Sequence, residues 1–356
     1  MASSRACFSR FPLLRSSSLS SPLLFSTFSP SLSSPISTFR KFSRLSASLS
    51  THDSSTHHSA DQFPIPKTTK PIWKPICLYY TQGKCTLMND PVHLDKFSHN
   101  CSIPLEANIS TAEKLRPQNI DYLLVLDLEG KVEILEFPVM IMDAKTLNVV
   151  DFFHRFVRPT KMSEQRIKEY IEGKYGKLGV DRVWHDTAIS FKEVIQEFEA
   201  WISGHNLWEK ELGGPLTRAA FVTCKVGFYI TRQISLFQNG DVQHILQGSG
   251  NWDIKTKIPE QCQVCDMQVP SYFMEWINLK DIYLNFYNST AKGMRTMLDE
   301  LKIPLSGRHH LGIDDTKNIT RVVQRMLADG ALMQITARRS PASPRSVDFL
   351  FKNRIR

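Results

Sequence analysis

The first 52 residues of this 356-residue chain contain no aspartate or glutamate, whereas residues 1–50 contain 18 serines and six basic residues. A serine-rich, arginine-bearing and acid-poor N-terminus is typical of an organelle transit peptide. A disordered tail that stays in the cytosol is the alternative. Serine richness and the "MASS" start favour the chloroplast over the mitochondrion. We therefore expect residues 1–50 to be a transit peptide and residues 51–70 a polar linker.

Long apolar runs are also absent, and cysteines are few. No apolar run reaches the length of about 18–20 residues that a membrane helix needs. The seven cysteines are odd in number and unevenly spread, which argues against a disulfide framework and fits a reducing compartment. The sequence therefore predicts no membrane partner, and it leaves the oligomeric state open.

The overall charge of +9 overstates the basic character of the remaining chain. Outside residues 1–50 there are 38 basic and 35 acidic residues, so the formal charge falls to +3. Most of this excess lies near the C-terminus, where residues 331–356 carry six basic residues and only one acid. Such a tail is usually a solvated end, although it can also meet phosphates by counterion release. We expect residues 338–356 to form this basic tail.

Between residues 119 and 337, the apolar pattern predicts a mixture of strands and helices. The predicted strands are "YLLVLDLEG", "EILEFPVMIMD", "VVDFFHRFVRP" and "AAFVTC". The predicted helices are "SFKEVIQEFEAWIS", with Ser190 as its cap, then "NLKDIYLNFY", "GMRTMLDELK" and "DDTKNITRVVQRMLADG". Three adjacent strands, one later strand and a helical end predict an α/β sandwich rather than a strictly alternating doubly wound fold.

Two acids follow the first predicted strand. Asp127 and Glu129 are separated by one residue, so the two-residue period of a strand points both carboxylates to the same side. Neighbouring carboxylates repel each other, and a divalent cation is the usual remedy. A solvated strand end is the alternative interpretation. A third acid, Asp253, follows Trp252 where a helix is predicted to begin.

The stretch "GRHHLGIDDTKN", residues 307–318, offers a fourth acid in two registers. His309 pairs with Asp314, or His310 pairs with Asp315, with four residues between the partners in either case. Helical phase separates the two registers. Asp315 shares a helix face with apolar residues, namely Ile319, Val322 and Met326. Asp314 shares its face with polar residues, namely Asn318 and Arg321.

This phase predicts that Asp315 points toward the sheet and that Asp314 lies on the solvent side, assisting at the helix N-terminus. We therefore favour the pair of His310 and Asp315, with His309 as a bystander.

Four acids in three separated segments, with one histidine in fixed relation to the last acid, resemble the DEDDh 3′-to-5′ exonucleases. Among these, segments such as "LLVLDLEG", "FVTC", "NWDIKTKIPEQC" and "GIDDTKNITRVVQRML" resemble the Enhanced-RNAi-type exoribonucleases, especially their plant organellar branch. The resemblance covers residues 119–337. It implies an RNase H-like exonuclease fold, with a mixed central sheet and flanking helices.

The resemblance also implies an activity: trimming of RNA 3′ ends, structured or single-stranded, with release of 5′-mononucleotides. Two Mg²⁺ or Mn²⁺ ions would be held by Asp127, Glu129, Asp253 and Asp315. Such ions, about 3.5–4 Å apart, stabilise the entering and leaving oxygens of a phosphodiester. His310 would be the general base, since neutral histidine can accept the proton of the attacking water. Trp252 would stack on a terminal base, or else belong to the core.

The chain departs from this family pattern in two places. The loop after Glu129 enters the second strand directly, and residues 225–249 interrupt the segment between "FVTC" and "GNWD". The pattern of this insertion predicts a β-hairpin with a tight turn at Asn239-Gly240. Translated intron sequence is the alternative.

Residues 71–110 form a separate Cys/His-containing module around "CLYYTQGKCTLMNDPVHLDKFSHNC". The segment resembles the CCCH zinc fingers that bind single-stranded RNA, but Asp95 stands where those fingers carry their third cysteine. His93 or Cys101 would have to substitute. Because tetrahedral zinc accepts mixed ligands, the resemblance suggests a Zn²⁺ site formed by Cys77, Cys85, His93 and His99. A metal-free loop is the alternative.

Two functions from different classes follow. One is an organellar 3′-to-5′ exoribonuclease, with ribosomal RNA precursors or small RNAs as the substrates that the resemblance implies. The other is a non-catalytic RNA-binding form, in which the insertion displaces Asp253. Within the enzyme class, a DNA exonuclease is the further alternative.

Overall fold

A computed structural model describes residues 74–100, 102–103, 115–225, 251–291, 293–340 and 343–351, together with the backbone of two strands in the insertion. All of these residues belong to one compact unit. The predicted transit peptide and linker, the thiol of Cys101 and the last five residues lie outside the described residues.

The described strands fall into one large sheet and one separate hairpin. The large sheet contains β1 (Tyr122–Leu126), β2 (Glu136–Asp143), β3 (Val149–Arg158), β4 (Ile189–Ser190), β5 (Ala219–Thr223), β8 (Glu275–Asn278), β9 (Ala337–Ser340) and β10 (Ser343–Phe349). The hairpin consists of β6 (Phe228–Arg232) and β7 (Gln243–Gln247).

The large sheet has the order β10-β9-β8-β5-β1-β2-β3-β4. Strand β1 lies near its centre, antiparallel to β2 and parallel to β5, and β5 is in turn parallel to β8. The parallel strands therefore end at the same edge of the sheet. A mixed sheet with flanking helices confirms the predicted α/β class and agrees with the RNase H-like arrangement that the resemblance implies.

Helices flank the sheet and precede it in the Cys/His module. They are α1 (Leu78–Thr81), α2 (Pro91–Lys96), α3 (Glu164–Lys174), α4 (Asp181–Thr187), α5 (Phe191–Gly204), α6 (Ile258–Val264), α7 (Leu279–Phe286), α8 (Met294–Glu300) and α9 (Gly312–Ala328). A π-helical turn (Asp253–Lys257) continues into α6, which confirms the predicted helix start after Trp252. Ser190 caps α5 in a reciprocal capping box with Glu193, which confirms the predicted cap.

The central strand is apolar throughout because both of its faces are covered. Leu124 and Leu126 pack in the layer that contains α5 and α6. Leu123 and Val125 pack on the opposite face, in the layer that contains α7, α8 and α9. Alternation along the strand thus divides β1 between two cores, which is why its sequence shows no polar face.

The C-terminal region differs from the expected solvated tail. Strands β9 and β10 extend the sheet beyond β8, and the side chain of Arg339 is almost completely buried. Its Nη2 donates to the carbonyl oxygens of Ile254 and Lys255, each at 2.9 Å. A basic residue in this region therefore donates to backbone carbonyls of the π-helical turn. The helices α3 and α4 and the strand β8 were also missed by the sequence pattern.

The insertion contains the predicted hairpin, because β6 and β7 pair in antiparallel fashion. Phe228 pairs with Gln247 and Arg232 pairs with Gln243. A two-residue Asn239-Gly240 turn would instead pair Phe228 with residue 251, four positions beyond Gln247, and the turn itself lies outside the described residues.

Within the part of the chain that the structure describes, no helix has both the length and the apolarity needed to cross a membrane.

Candidate active site

Asp127 and Glu129 lie at the carboxyl end of the central strand. Asp127 comes directly after β1, and Glu129 forms an isolated antiparallel bridge with Glu136. Gly130 then turns the chain at a φ of 127°, where a Cβ would stand 2.0 Å from the carbonyl oxygen of Glu133. Only glycine fits this turn, which directs the chain into β2 while both carboxylates stay buried.

Asp253 enters the same region from the start of the π-helical turn. It is fully buried, and Thr223, the last residue of β5, donates from Oγ1 to its Oδ2 at 2.6 Å. Its Oδ1 is buried without a hydrogen-bond partner. An unsatisfied carboxylate oxygen in the interior is costly, and coordination of a cation would satisfy it.

Asp315 completes the set from the first turn of α9. Oxygens of Asp127, Glu129 and Asp315 lie within 4.8 Å of one another. The negative charges of Asp253 and Asp315 both act on Asp127. The structure thus brings together the four acids that the sequence singled out, with three of them in one close group and Asp253 beside it.

Two lysines occupy the acid cluster. Lys225 Nζ lies 2.8 Å from Glu129 Oε1 and 3.6 Å from Asp127 Oδ1, and it also donates to the carbonyl oxygen of Leu128. Lys174 Nζ, from α3, lies 2.5 Å from Glu129 Oε2. Ammonium groups therefore neutralise part of the charge that the acids create.

The carboxylates respond differently to this environment. Burial raises the pKa of Asp127 well above its ordinary value. Burial likewise raises the pKa of Asp253 to about 6, against the opposing effect of Lys225. Burial also acts on Glu129, but the two lysines outweigh it and lower its pKa. The two lysines thus stabilise the ionised form of Glu129. The ionised forms of Asp127 and Asp253 would be stabilised only by additional positive charge nearby.

Replacing Lys225 with methionine is expected to tighten divalent-ion binding. Lys225 donates to Glu129, and a hydrogen bond to a charged group contributes about 1.5–3 kcal/mol. Releasing Glu129 should lower the Mg²⁺ concentration needed for half-saturation roughly tenfold. Isothermal titration with Mn²⁺ and rates over a Mg²⁺ series would measure this shift. An unchanged or higher requirement would contradict competition between Lys225 and the cation.

The two histidines stand differently from the sequence expectation. His309 Nδ1 lies 3.0 Å from Asp315 Oδ1, whereas His310 donates its backbone N–H to Asp315 Oδ2 at 2.8 Å. The rings stack with centroids 3.9 Å apart. Helix α9 begins only at Gly312, and His310 has a φ of 72°, so helical spacing does not extend back to the histidines. His309 is therefore in contact with the site rather than apart from it.

These positions affect the two imidazoles in opposite directions. The hydrogen bond to Asp315 raises the pKa of His309. Burial, together with the neighbouring His309, lowers the pKa of His310. A general base must be unprotonated, so these directions agree with His310 in that role.

The prediction that Asp314 and Asn318 lie on a solvent-exposed face of α9 was wrong. Asp314 and Asn318 are both buried, because α9 is covered on nearly all sides. Asp314 nevertheless turns away from the acid cluster: its Oδ2 accepts the backbone N–H of Arg308 at 2.8 Å. It fixes the loop before α9, where a Cβ on Gly307 would come within 2.4 Å of the Asp314 side chain.

Trp252 is half-buried and lies beside Asp253. Lys257 Nζ stands 4.6 Å from the centroid of its ring, so one face of the indole is covered by a cation. Its backbone N–H donates to the carbonyl oxygen of Lys225 at 3.3 Å. The ring is thus not an ordinary core residue, and its stacking on a base stays a prediction.

The Cys/His module gathers the residues that the sequence proposed as zinc ligands. Cys85 Sγ lies 3.6 Å from Nε2 of both His93 and His99, and these two nitrogens are 3.0 Å apart. Cys77 completes a group whose ligand atoms all lie within 4.8 Å of one another. Asp95 is elsewhere, in an exposed ion pair with Lys74.

No protein-family model matches the chain. An Arabidopsis thaliana protein described as an uncharacterized exonuclease domain-containing protein is 59% identical over 284 residues, which cover 80% of this chain and 77% of that protein. The chain belongs to the exonuclease-domain family. Rat 3′-5′ exoribonuclease 1 is 29% identical over 227 residues, covering 60% of this chain and 55% of the rat protein. The chain is thus also similar to a protein described as a 3′-5′ exoribonuclease, and it spans about half the length of that relative.

A solved structure described as the nuclease domain of 3′hExo, a DEDDh family member bound to rAMP, superposes with a TM-score of 0.47. It is 26% identical, and the match covers 62% of this chain and 98% of the solved one.

Sequence reasoning missed the two lysines of this exonuclease-domain site. Lys225 follows β5, whose carboxyl end meets that of β1 because the two strands are parallel. The position of Lys225 directly after "FVTC" could therefore have been used to predict that it lies near Asp127 and Glu129. Lys174 belongs to α3, which the sequence pattern did not predict, and no local signal connects it with Glu129.

Proposed function

We propose that this protein is a metal-dependent exoribonuclease that removes nucleotides from RNA 3′ ends and releases 5′-mononucleotides. The observation that carries the proposal is the convergence of Asp127, Glu129, Asp253 and Asp315, all buried, at one edge of the sheet. Buried acids with few donors are unfavourable for stability, and their retention fits a catalytic site. The names of relatives such as rat 3′-5′ exoribonuclease 1 support the reaction class.

The donor set fits two Mg²⁺ or Mn²⁺ ions. Hard cations prefer oxygen ligands, and the unpaired Oδ1 of Asp253 is one such ligand in the interior. Asp127, Glu129 and Asp315 would hold the ions together with Asp253. When bound, the ions would stabilise charge on the entering and leaving oxygens of the scissile phosphodiester.

The chain's own groups would orient and deprotonate the nucleophile. His310 would accept a proton from the attacking water through its imidazole, and the Asp315 carboxylate would fix the backbone of the same residue. Thr223 would keep Asp253 in one orientation through its hydroxyl hydrogen bond. Trp252, which is half-buried, would stack on the terminal base.

Matched RNA and DNA oligonucleotides of one sequence test this proposal. In Mg²⁺ the full chain is expected to shorten the RNA from its 3′ end, and excess EDTA is expected to stop the reaction. Preferential shortening of the DNA would instead support the DNA exonuclease alternative. Binding of RNA without shortening, in any divalent ion, would support the non-catalytic alternative.

The biological role is part of the same proposal: maturation of organellar ribosomal RNA 3′ ends, or turnover of small RNAs. The serine-rich, acid-free N-terminus supports an organellar location, with the chloroplast favoured over the mitochondrion. Accumulation of 3′-extended ribosomal RNA in plastids lacking the protein would identify the first substrate class. A normal ribosomal RNA profile with elevated small RNAs would identify the second.

Fusion of residues 1–60 to a fluorescent reporter is expected to direct the reporter to plastids in plant cells, because this segment lacks acids until Asp53. Confocal microscopy beside chlorophyll fluorescence measures the outcome. A matched fusion with each arginine of the segment changed to glutamate should remain in the cytosol. Diffuse signal from the unmodified fusion would contradict the targeting proposal.

We also propose that the Cys/His module binds one Zn²⁺ ion. Zinc bonds of about 2.3 Å to sulfur and 2.0 Å to nitrogen, at tetrahedral angles, imply a sulfur-to-nitrogen separation of roughly 3.5 Å. Cys85 Sγ stands at 3.6 Å from both histidine nitrogens. Cys77 would be the fourth ligand, so His93 would take the place of the third cysteine of CCCH fingers.

Purified full-length protein is expected to contain one zinc per chain, and His93→Ala is expected to lose most of it because three ligands bind zinc far more weakly than four. Elemental mass spectrometry measures the content. His185→Ala, which removes an exposed histidine on α4, is the matched control and should keep its zinc. Equal zinc in both variants, or none in the unmodified chain, would reject the site.

A further inference from the structure

The buried pair of Glu136 and His154 lies between the Cys/His module and the acid cluster. Both side chains are completely buried, and His154 Nε2 stands 3.0 Å from Glu136 Oε1. Glu136 belongs to β2 and His154 to the neighbouring β3. Nε2 of His154 thus faces the carboxylate, and Nδ1 faces the Cys/His module.

The module supplies the partners for Nδ1. Gln82 donates its side-chain amide to His154 Nδ1 at 3.0 Å. Thr81 Oγ1 lies 2.7 Å from the same nitrogen and 2.8 Å from the carbonyl oxygen of Leu78, so its hydroxyl can donate to either one. The other end of the Gln82 amide accepts the backbone N–H of Phe156 at 2.9 Å. Thr81 and Gln82 end helix α1, which begins directly after Cys77.

The opposite end of the pair meets the helix that carries Asp315. Glu136 Oε1 accepts the backbone N–H of Ile313 at 2.9 Å, in the first turn of α9. A Cβ on Gly312 would stand 3.0 Å from both the carbonyl oxygen of Asp127 and the carboxyl carbon of Glu136. The start of α9 is thus seated directly against the strand end that supplies the first acid.

Apolar packing follows the same path. Ile76 and Leu78 of the module belong to one buried cluster with Leu311 and Ile313, which flank the start of α9. Side chains of the module therefore reach the core of the nuclease domain instead of resting on its surface. An independent finger joined by a linker would not share this cluster.

We infer that the Cys/His module is a structural part of the nuclease domain, and that Thr81 and Gln82 position Asp315 through His154 and Glu136. The links from Gln82 to His154, from His154 to Glu136 and from Glu136 to Ile313 are direct contacts at hydrogen-bond distance between buried groups, and such groups have few alternative partners. Loosening the module would leave His154 Nδ1 unpaired and weaken the hold of Glu136 on Ile313. His154 and Glu136 are positioning residues in this scheme, since neither lies among the proposed metal ligands. The inference rests on the proposed function, because it concerns the acid that would hold the metal.

The double variant Thr81→Val with Gln82→Met tests this inference in the full chain. Both substitutions keep the size of the side chain and remove its hydrogen bonds to His154. Tyr79→Phe is the matched control, since it removes a hydrogen bond from the same helix to Asp186 of α4 and leaves the path to His154 intact. The readouts are Mn²⁺ affinity by electron paramagnetic resonance, the RNA-saturated trimming rate, the RNA concentration for half-saturation and zinc content.

We expect the double variant to lose roughly 10- to 100-fold in Mn²⁺ affinity or trimming rate, as outer partners of metal ligands typically do. Its zinc content and RNA half-saturation should stay unchanged, and Tyr79→Phe should match the unmodified chain. Thr81→Ser, which retains the hydroxyl, should behave normally. If the double variant fails to fold, Thr81→Val alone is compared with Thr81→Ser.

A folded double variant with full Mn²⁺ affinity and full rate would overturn the inference. So would an equal loss in Tyr79→Phe, because that result would indicate general loosening of α1. If the unmodified chain neither binds Mn²⁺ nor trims RNA, the proposed function is rejected, and the inference is rejected with it. Trimming by the unmodified chain without a difference among the variants would reject the inference alone.

Discussion

Asparagine in place of Asp127 is expected to lower the trimming rate roughly a thousandfold, because about 4 kcal/mol of charge stabilisation by the metal site would be lost. The fold should persist. Burial raises the pKa of Asp127 far above its ordinary value, so its ionised form opposes folding near pH 7, and asparagine removes that cost. Single-turnover rates in saturating Mg²⁺ and melting curves in EDTA measure the two effects.

Asp314→Asn is the matched control for this result. Asp314 is buried like Asp127, but its carboxylate binds the backbone N–H of Arg308 and lies outside the acid cluster. Asparagine can still accept that hydrogen bond, so we expect at most a severalfold loss, as for an ordinary hydrogen bond worth about 1 kcal/mol. Equal losses for Asp127→Asn and Asp314→Asn would show that the acids were assigned in the wrong register.

Removal of the His310 imidazole is expected to slow trimming about 10²- to 10⁴-fold, the usual contribution of a general base. His310→Ala leaves the backbone N–H that supports Asp315, so Mn²⁺ and RNA should bind almost normally. Single-turnover rates and Mn²⁺ titration separate the two properties. A variant that loses metal binding as well as rate would indicate a supporting role instead.

His309→Gln is the companion variant. His309 contacts Asp315 through Nδ1, and glutamine retains a hydrogen-bonding group of similar reach. We expect a loss of less than about tenfold, in line with a partner that orients a ligand without moving the proton. A larger loss for His309→Gln than for His310→Ala would assign the base to His309.

The strand end that carries Asp127 and Glu129 was predictable because it depends on local rules. A branched apolar run predicts a buried strand, and a period of two places acids one residue apart on the same side. The capped helix after Ser190 was predictable for the same reason, since the hydrogen bonds of its capping box join residues that are only three apart.

The features that escaped prediction depend on long-range contacts. Lys174 and Glu129 are 45 residues apart, and Gln82 and His154 are 72 residues apart. No periodicity connects such positions. The histidine geometry failed for a different reason: helical phase holds only inside a helix, and the positive φ of His310 lies before α9 begins. Arg339 was misassigned because charge alone does not reveal that a strand will bury its side chain.

The most direct measurement is the first product released from an RNA whose last internucleotide phosphate is labelled. The full chain, the chain lacking residues 225–249 and Asp127→Asn are compared under single-turnover conditions in Mg²⁺. The account predicts that labelled 5′-mononucleotide appears first, that it depends on Mg²⁺, and that Asp127→Asn releases almost none. Release by the shortened chain alone would mean that the site is correct and the insertion inactivates it. Label retained in long fragments, or release that persists in EDTA and in Asp127→Asn, would contradict the account.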